Sequence, residues 1–272
     1  YLYSTVFAII KTMKITKIEK KKRLYLIEID GSDNLYVTED TIVHFMLSKG
    51  MSLDDALLKD IQSFAQFSYG KNLALYYISF KQRTVKEVKQ YLEKHEIDTR
   101  YIPDILDNLI AEDWLNDQQY VENYLAQNLH SGDKGPYILK QKLMQKGIDT
   151  QVIEQGLAQL DFSEVAEKTA KKLLKKYQSK LSSKSLTDKI IQNLMNKGFS
   201  YDEAKTAFEK LDTDKDEEQE QELLYQALDK QHRKLSKKYD GYDLKQRLIQ
   251  HLMRKGFAYD DIQTALRDYL SI

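Results

Sequence analysis

The chain has 272 residues with no cysteine, two prolines and ten glycines, and its 42 basic residues balance 42 acidic ones. This length exceeds what one minimal core needs, so it predicts either two domains or a repeat array. The absence of cysteine excludes a disulfide framework and a thiolate metal site, and zero net charge argues against a generic nucleic-acid-binding protein. Scarce glycine and proline favour a mainly α-helical fold.

The N-terminal part of the chain predicts a small α/β head at residues 14–70, with residues 1–13 as a possible extension. β-forming residues on both sides of Gly31-Ser32-Asp33-Asn34 predict a β-hairpin. A helix is expected from about Thr41 to Lys49, ended by Gly50, and a second from Ser52. The most apolar stretch, residues 6–10, is too short to span a membrane, so we expect a cytoplasmic protein without a membrane partner.

The rest of the chain contains a repeat. Leu143-Met144-Gln145-Lys146-Gly147-Ile148 recurs around Leu194 and Leu252, and more faintly around Leu92. Each copy joins two amphipathic helical patterns, and a preceding helix completes a three-helix unit too small to bury its own core. We therefore expect tandem three-helix repeats in an elongated, curved array, at residues 71–116, 117–161, 162–212 and 213–272, the last with an acidic linker.

No motif points to catalysis or to a cofactor. The segment Asp212-Thr213-Asp214-Lys215-Asp216 matches the start of a calcium loop, but Glu217 stands where glycine is required and Leu223 where glutamate is required. Phosphate-binding glycine loops and serine-hydrolase elbows are also absent. We expect neither a catalytic nor a metal site, and therefore a protein that acts by binding.

Two stretches rich in basic residues are the candidate binding surface. Lysines recur at spacings of three and four in the first stretch, which places several of them on one helix face without a neighbouring acid. The candidates are Lys168, Lys171, Lys172, Lys175, Lys176, Lys180, Arg233, Lys234, Lys237, Lys238 and Arg247. A merely solvated helix face is the competing interpretation, and direct binding of nucleic acid is another. The recurrent Tyr residues and the column Met144, Met195 and Met253 are expected to pack between helices.

The order of three motifs resembles the RecX family of bacterial regulatory proteins, which modulate the RecA recombinase. The motifs are Arg83-Thr84-Val85-Lys86-Glu87-Val88, Trp114-Leu115-Asn116-Asp117-Gln118-Gln119-Tyr120, and Gly135-Pro136-Tyr137-Ile138 running on to Leu143 and Lys146-Gly147-Ile148. Most of these residues suit structural roles: Thr84 with Glu87 as a capping box, Asn116 or Asp117 as a cap, Pro136 at a helix start and Gly147 after a helix end.

The resemblance implies a protein that lies in the groove of the RecA–single-stranded-DNA filament and restrains its recombinase and ATPase activities, with a role in DNA repair. We expect the protein to be a monomer. RecA filaments are then the partner, and direct contact with single-stranded DNA is possible. The alternative is a helical repeat protein that binds nucleic acid directly. A salt titration on bare and on RecA-coated DNA would separate the two.

Overall fold

The computed structural model describes residues 12–213 and 217–270. Its strands are β1 (Met13–Lys21), β2 (Leu24–Ile29), β3 (Asp33–Val37) and β4 (Ser52–Leu53). Its helices are α1 (Glu39–His44), α2 (Asp55–Ser79), α3 (Val85–Lys94), α4 (Ile102–Ala111), α5 (Asp117–Ser131), α6 (Pro136–Gln145), α7 (Thr150–Ala158), α8 (Ser163–Tyr177), α9 (Ser183–Asn196), α10 (Tyr201–Glu209), α11 (Glu217–Leu235), α12 (Gly241–Arg254) and α13 (Tyr259–Leu270). The mainly helical class with a small α/β head is confirmed.

The described chain forms two compact units. The first contains residues 12–120 together with Gln145–Asp149, and the second contains Val121–Met144 and residues 150–270. No helix within the described residues is both long and apolar enough to cross a membrane.

In the first unit, the head is a four-stranded antiparallel sheet in the order β3-β2-β1-β4. The expected hairpin is confirmed as β2 and β3, in which Ile27 pairs with Leu35. Alternate residues of these strands face inward, and Ile27, Ile29 and Val37 form a core with residues of α2. The strands β1 and β4 close the sheet on its other side.

The helices of the head begin elsewhere than expected. α1 starts after Thr38, whose hydroxyl accepts a hydrogen bond from the Thr41 N–H, and it ends at His44. The first left-handed residue after α1 is Met46, so this helix ends before the expected stop at Gly50. Ser52 pairs with Lys14 in the sheet, and Asp54 caps α2 instead. Strand pairing therefore overrides the local capping pattern, because it satisfies backbone groups that a cap would leave open.

A single helix serves both the head and the first repeat. α2 contributes Ile61 and Ala65 to the core of the head and Ala74 to the core of the first repeat. The expected boundary at residues 70 and 71 therefore falls inside a helix. Gly70 lies where α2 approaches α4, since a Cβ there would come within 2.5 Å of Ile105 Cδ1.

Four three-helix repeats follow one another along the chain: α2–α4, α5–α7, α8–α10 and α11–α13. Leu92, Leu143, Leu194 and Leu252 each lie in the middle helix of a repeat, two residues before its end, and all are fully buried. The predicted equivalence of these leucines is confirmed. A left-handed residue follows each helix: Glu96 (φ 58°), Gly147 (φ 83°), Gly198 (φ 95°) and Gly256 (φ 87°).

Candidate partner-binding surface

The first basic stretch lies on α8, the first helix of the third repeat. One face of this helix is buried through Val165, Thr169 and Leu173. The opposite, exposed face carries Lys168, Lys171, Lys172, Lys175 and Lys176, and Lys180 is exposed just beyond the helix end. This arrangement follows from the spacing of the lysines, and the two in the last turn also suit the negative end of the helix dipole.

The second basic stretch occupies the corresponding end of the fourth repeat. Arg233 and Lys234 lie in the last turn of α11, Lys237 and Lys238 follow it, and Arg247 lies on α12. All five are exposed. Apart from Arg247, the second stretch therefore lies at the C-terminal end of the first helix of its repeat, as Lys175 and Lys176 do in theirs, and both stretches belong to one compact unit.

The expectation that the lysines of the first stretch have no neighbouring acid is wrong at Lys168, and two cations of the second stretch also pair with acids. Each of these three cations forms an ion pair with the acid four residues before it: Lys168 with Glu164 at 2.8 Å, Arg233 with Asp229 at 3.0 Å and Arg247 with Asp243 at 3.1 Å. The Arg233 side chain is 78 % exposed, so this pair is weak and can be exchanged for another anion. Among the described residues, Lys171, Lys172 and Lys175 form no ion pair.

Part of the expected acidic linker is helical. Glu217, Glu218 and Glu220 form the first turn of α11, where negative charge suits the positive end of the helix dipole. Glu220 also accepts hydrogen bonds from the N–H and hydroxyl of Ser183, both at 2.9 Å. Asp214, Lys215 and Asp216 of the calcium-loop pattern lie outside the described residues. Within residues 12–213 and 217–270, no group of three His, Asp or Glu side chains is placed to hold a metal ion.

The methionine column is more exposed than expected. Met144, Met195 and Met253 follow directly after the buried leucines, and they are 42 %, 40 % and 50 % exposed. Filling between helices is therefore the wrong interpretation for these residues. Packing is the better account of the half-buried rings of Tyr77 and Tyr91, which stack with centroids 4.0 Å apart.

The signature motifs meet at contacts between successive repeats, which we call repeat joints. In each joint, the start of the middle helix of one repeat contacts the Lys-Gly turn of the next. The first joint forms when the Thr84 hydroxyl donates to the Lys146 carbonyl oxygen at 2.9 Å, while Lys146 pairs with Glu87 at 2.7 Å. Thr84 also caps α3 through the predicted capping box with Glu87.

The second and third joints repeat this geometry with other residues. The Gly135 N–H donates to the Lys197 carbonyl oxygen at 2.8 Å, and the Lys197 ammonium pairs with Asp133. In the third joint the hydroxyls of Ser182 and Ser185 donate to the Lys255 carbonyl oxygen, at 2.5 Å and 2.7 Å. The Lys-Gly turns therefore end one helix and hold the preceding repeat at the same time.

The pKa values of two carboxyl groups at the first joint are shifted in opposite directions. Burial alone would raise the pKa of Glu87, but hydrogen bonds from Lys146 and from the Thr84 N–H outweigh it and hold this pKa below its usual value. Burial raises the pKa of Asp117, although the Val85 N–H donates to it at 3.0 Å. Asn116 is the residue that caps α5, through the Gln119 N–H.

Comparison with known families decides what these repeats are. The models of the first and second three-helix domains of RecX match residues 71–109 and 116–157. The model of the third three-helix domain of RecX matches residues 161–208 and again residues 217–266. The chain belongs to the RecX family. The two matches to one domain model agree with the third and fourth repeats being copies of each other.

RecX proteins similar to this chain are known from several streptococci. The regulatory protein RecX of Streptococcus gordonii is 62 % identical over 257 residues, which cover 94 % of this chain and all of that protein. The regulatory protein RecX of Streptococcus agalactiae serotype III is 59 % identical over 258 residues, covering 95 % of this chain. This chain is therefore a regulatory protein of the RecX family by descent.

Solved RecX structures share the fold over part of the chain. A crystal structure of regulatory protein RecX is 30 % identical and covers 73 % of this chain and 98 % of its own, with a TM-score of 0.60. RecX from Lactobacillus salivarius is 37 % identical and covers 54 % of this chain and 97 % of its own, with a TM-score of 0.52. The RecX motifs read from the sequence lie mainly in the repeat joints, a role that local spacing could not indicate because the joint partners come from different repeats.

Proposed function

We propose that this chain is a negative modulator of the RecA recombinase that binds in the groove of the RecA–single-stranded-DNA filament and restrains its recombinase and ATPase activities. The observation that carries the proposal is the presence of exposed basic stretches at the same place in two successive repeats of a RecX-family chain. A filament offers the same surface many times, so repeated basic surfaces can meet repeated acidic or phosphate-bearing ones.

The proposed action is binding rather than catalysis. The protein works as a monomer in the cytoplasm and needs no cofactor. Each basic contact is individually weak and screened by salt, because the side chains are exposed. Several such contacts on one chain reinforce each other through effective concentration. Affinity is therefore spread over both stretches.

The decisive experiment measures inhibition of RecA ATPase on single-stranded DNA by wild type and by the variant Lys172→Glu, Lys175→Glu and Lys176→Glu. We expect the variant to inhibit about tenfold more weakly at low salt, with a smaller difference at high salt. Circular dichroism verifies that the variant is folded.

The matched control carries Lys49→Glu, Lys59→Glu and Lys89→Glu, which make the same change in net charge at exposed positions. The control should inhibit like wild type. If the α8 variant inhibits as well as the control at both salt concentrations, the α8 lysines only keep the protein soluble and the binding face lies elsewhere. If wild type binds bare DNA as tightly as coated DNA, the chain is a direct nucleic-acid binder.

A further inference from the structure

The turn between β1 and β2 is the most basic part of the head. Residues 14–23 contain five lysines and one arginine against the single acid Glu19. Glu19 pairs with Lys17 at 2.9 Å and with Lys21 at 2.5 Å, so it neutralises cations on one face of β1. Because side chains alternate along a strand, Lys20 lies on the other face, where it is opposite Tyr25.

Three other cations near this turn are exposed and lie beyond ion-pair distance of the described carboxylates. Lys20, Lys22 and Arg23 are exposed, and among the described residues none of them forms an ion pair. Lys22 has φ 53°, as a tight two-residue turn requires. The Tyr25 hydroxyl, and to a lesser extent Glu39, hold the pKa of Lys20 above its usual value, so Lys20 stays charged.

Exposed aromatic rings lie beside these cations. The Arg23 guanidinium lies 5.2 Å from the ring centroid of Tyr76, near the C-terminal end of α2. Tyr76 meets the ring of Phe80 edge to face, with centroids 4.9 Å apart. Tyr76 is 47 % exposed and Phe80 66 % exposed, so a large part of each ring is open to solvent.

We propose that Lys20, Lys22, Arg23, Tyr76 and Phe80 form a binding surface for single-stranded nucleic acid. We call it the head surface. Positive side chains that follow a phosphate backbone, next to exposed rings on which unpaired bases stack, are the two features that bind single strands without sequence preference. A single strand uses the cations through its phosphates and the rings through its unpaired bases, whereas duplex DNA hides the faces of its bases.

The head surface shares no residue with the basic stretches on α8 and α11. It does not depend on RecA, so its test uses the full chain and bare DNA alone. The probe is a fluorescently labelled oligothymidylate of about 20 nucleotides, titrated at several salt concentrations. Wild type should bind it more tightly than a duplex of the same length.

The charge variant is Lys20→Gln, Lys22→Gln and Arg23→Gln, and its control is Lys49→Gln, Lys59→Gln and Lys89→Gln. We expect the charge variant to bind about tenfold more weakly. The slope of the logarithm of its binding constant against the logarithm of the salt concentration should become shallower by about two, since each lost phosphate contact on a single strand removes about 0.7. Equal losses in variant and control would mean that any exposed cation contributes, and would overturn the proposal.

The ring variant is Phe80→Ala, and its control is Tyr242→Ala, which removes a ring that is 78 % exposed in the fourth repeat. Loss of base stacking should weaken binding about tenfold in the ring variant alone, without a change in salt dependence. If only the charge variant weakens binding, the surface recognises negative charge in general and the single-strand proposal is wrong. Absence of binding by wild type also overturns it, while leaving the RecA proposal untouched.

Discussion

The carbonyl oxygen of each lysine in the Lys-Gly turns accepts a hydrogen bond from the start of a helix in the preceding repeat. The glycine that follows has two tasks at this place. It adopts a left-handed backbone that other residues enter only at a cost, and it leaves room for the neighbouring repeat. At Gly198, a Cβ would come within 2.6 Å of the Ile138 backbone nitrogen.

Substitution of Gly198 separates these two tasks when it is compared with Gly31. Both have positive φ, 95° and 76°, but a Cβ at Gly31 meets nothing within 4 Å. We expect Gly31→Val to lower the free energy of unfolding by about 1–2 kcal/mol, from backbone strain alone. Gly198→Val should lower it by about 3 kcal/mol or more, since a close contact adds to the strain. Urea denaturation measures both, and equal losses would show that the joint tolerates a side chain.

The contributions of Glu87 and Asp117 to the stability of the fold should depend on pH with opposite signs. The pKa of Glu87 is lowered in the folded state, so its contribution to stability is present above its unfolded pKa near 4.5 and is lost as the pH falls through the folded pKa. Glu87→Gln should therefore be less stable than wild type at neutral pH, and the difference should shrink on acidification.

Asp117 has a raised pKa, so its ionisation costs stability, and this cost disappears as the pH falls below its unfolded pKa near 3.8. Asp117→Asn keeps an oxygen that can accept from the Val85 N–H. It should be at least as stable as wild type at neutral pH, with the gain fading in acid. Urea denaturation between neutral and acidic pH provides the measurement, and a gain that grows on acidification would contradict the assignment.

Helix starts and helix stops are the elements through which one repeat holds the next. Thr84 is fully buried; it caps its own helix by accepting the Glu87 N–H at 3.2 Å and donates to the Lys146 carbonyl oxygen at the same time. Its single hydroxyl therefore satisfies two backbone groups that belong to different repeats. Propensity and capping explain why the helices exist, but these shared caps explain how neighbouring repeats are held.

Replacement of Thr84 tests whether the cap is shared. Thr84→Val keeps the shape of the side chain and removes the hydroxyl, so we expect the free energy of unfolding to fall by about 2 kcal/mol, from one lost cap and one unsatisfied carbonyl oxygen. Thr84→Ser keeps both hydrogen bonds and should lose less than half as much. The exchange rate of the Glu87 amide and the NMR carbon shift of the Lys146 carbonyl should both change in Thr84→Val alone, whereas a response confined to Glu87 would indicate a cap that serves only α3.

At the scale of the whole molecule, acidic and basic residues are concentrated in separate segments of the third and fourth repeats. The whole chain has a net charge of zero, but individual segments are strongly charged. The start of α11 is acidic, its end is basic, and the exposed face of α8 is basic. Part of this pattern has a local explanation, because it complements the helix dipole and pairs cations such as Arg233 with acids one turn away. Lys171 and Lys172 of α8 lie before the last turn and form no ion pair among the described residues, so neither explanation applies to them.

The number of basic stretches that touch the filament can be counted with combined variants. The α8 variant described above should be compared with Lys234→Glu, Lys237→Glu and Lys238→Glu, and with all six changes together. If both stretches bind at once, the losses in apparent affinity for RecA filaments multiply, since distant contacts contribute additively to free energy. A combined variant no weaker than the weaker single one would mean that only one stretch makes contact. Filament co-sedimentation at fixed salt measures all three.

The sequence by itself determined the helical class, the hairpin, the equivalence of Leu92 with Leu194 and its counterparts, and the resemblance to RecX. These depend on local periodicity, caps and turns, which neighbouring residues encode. The tertiary structure alone decided that Ser52 enters a sheet, that Met195 is exposed and that Thr84 reaches the carbonyl oxygen of a residue 62 positions away. Arg23 likewise meets Tyr76 only in the folded head. Such outcomes depend on which distant groups approach each other and on the polar groups that they satisfy, and a single sequence read along its length does not contain those distances.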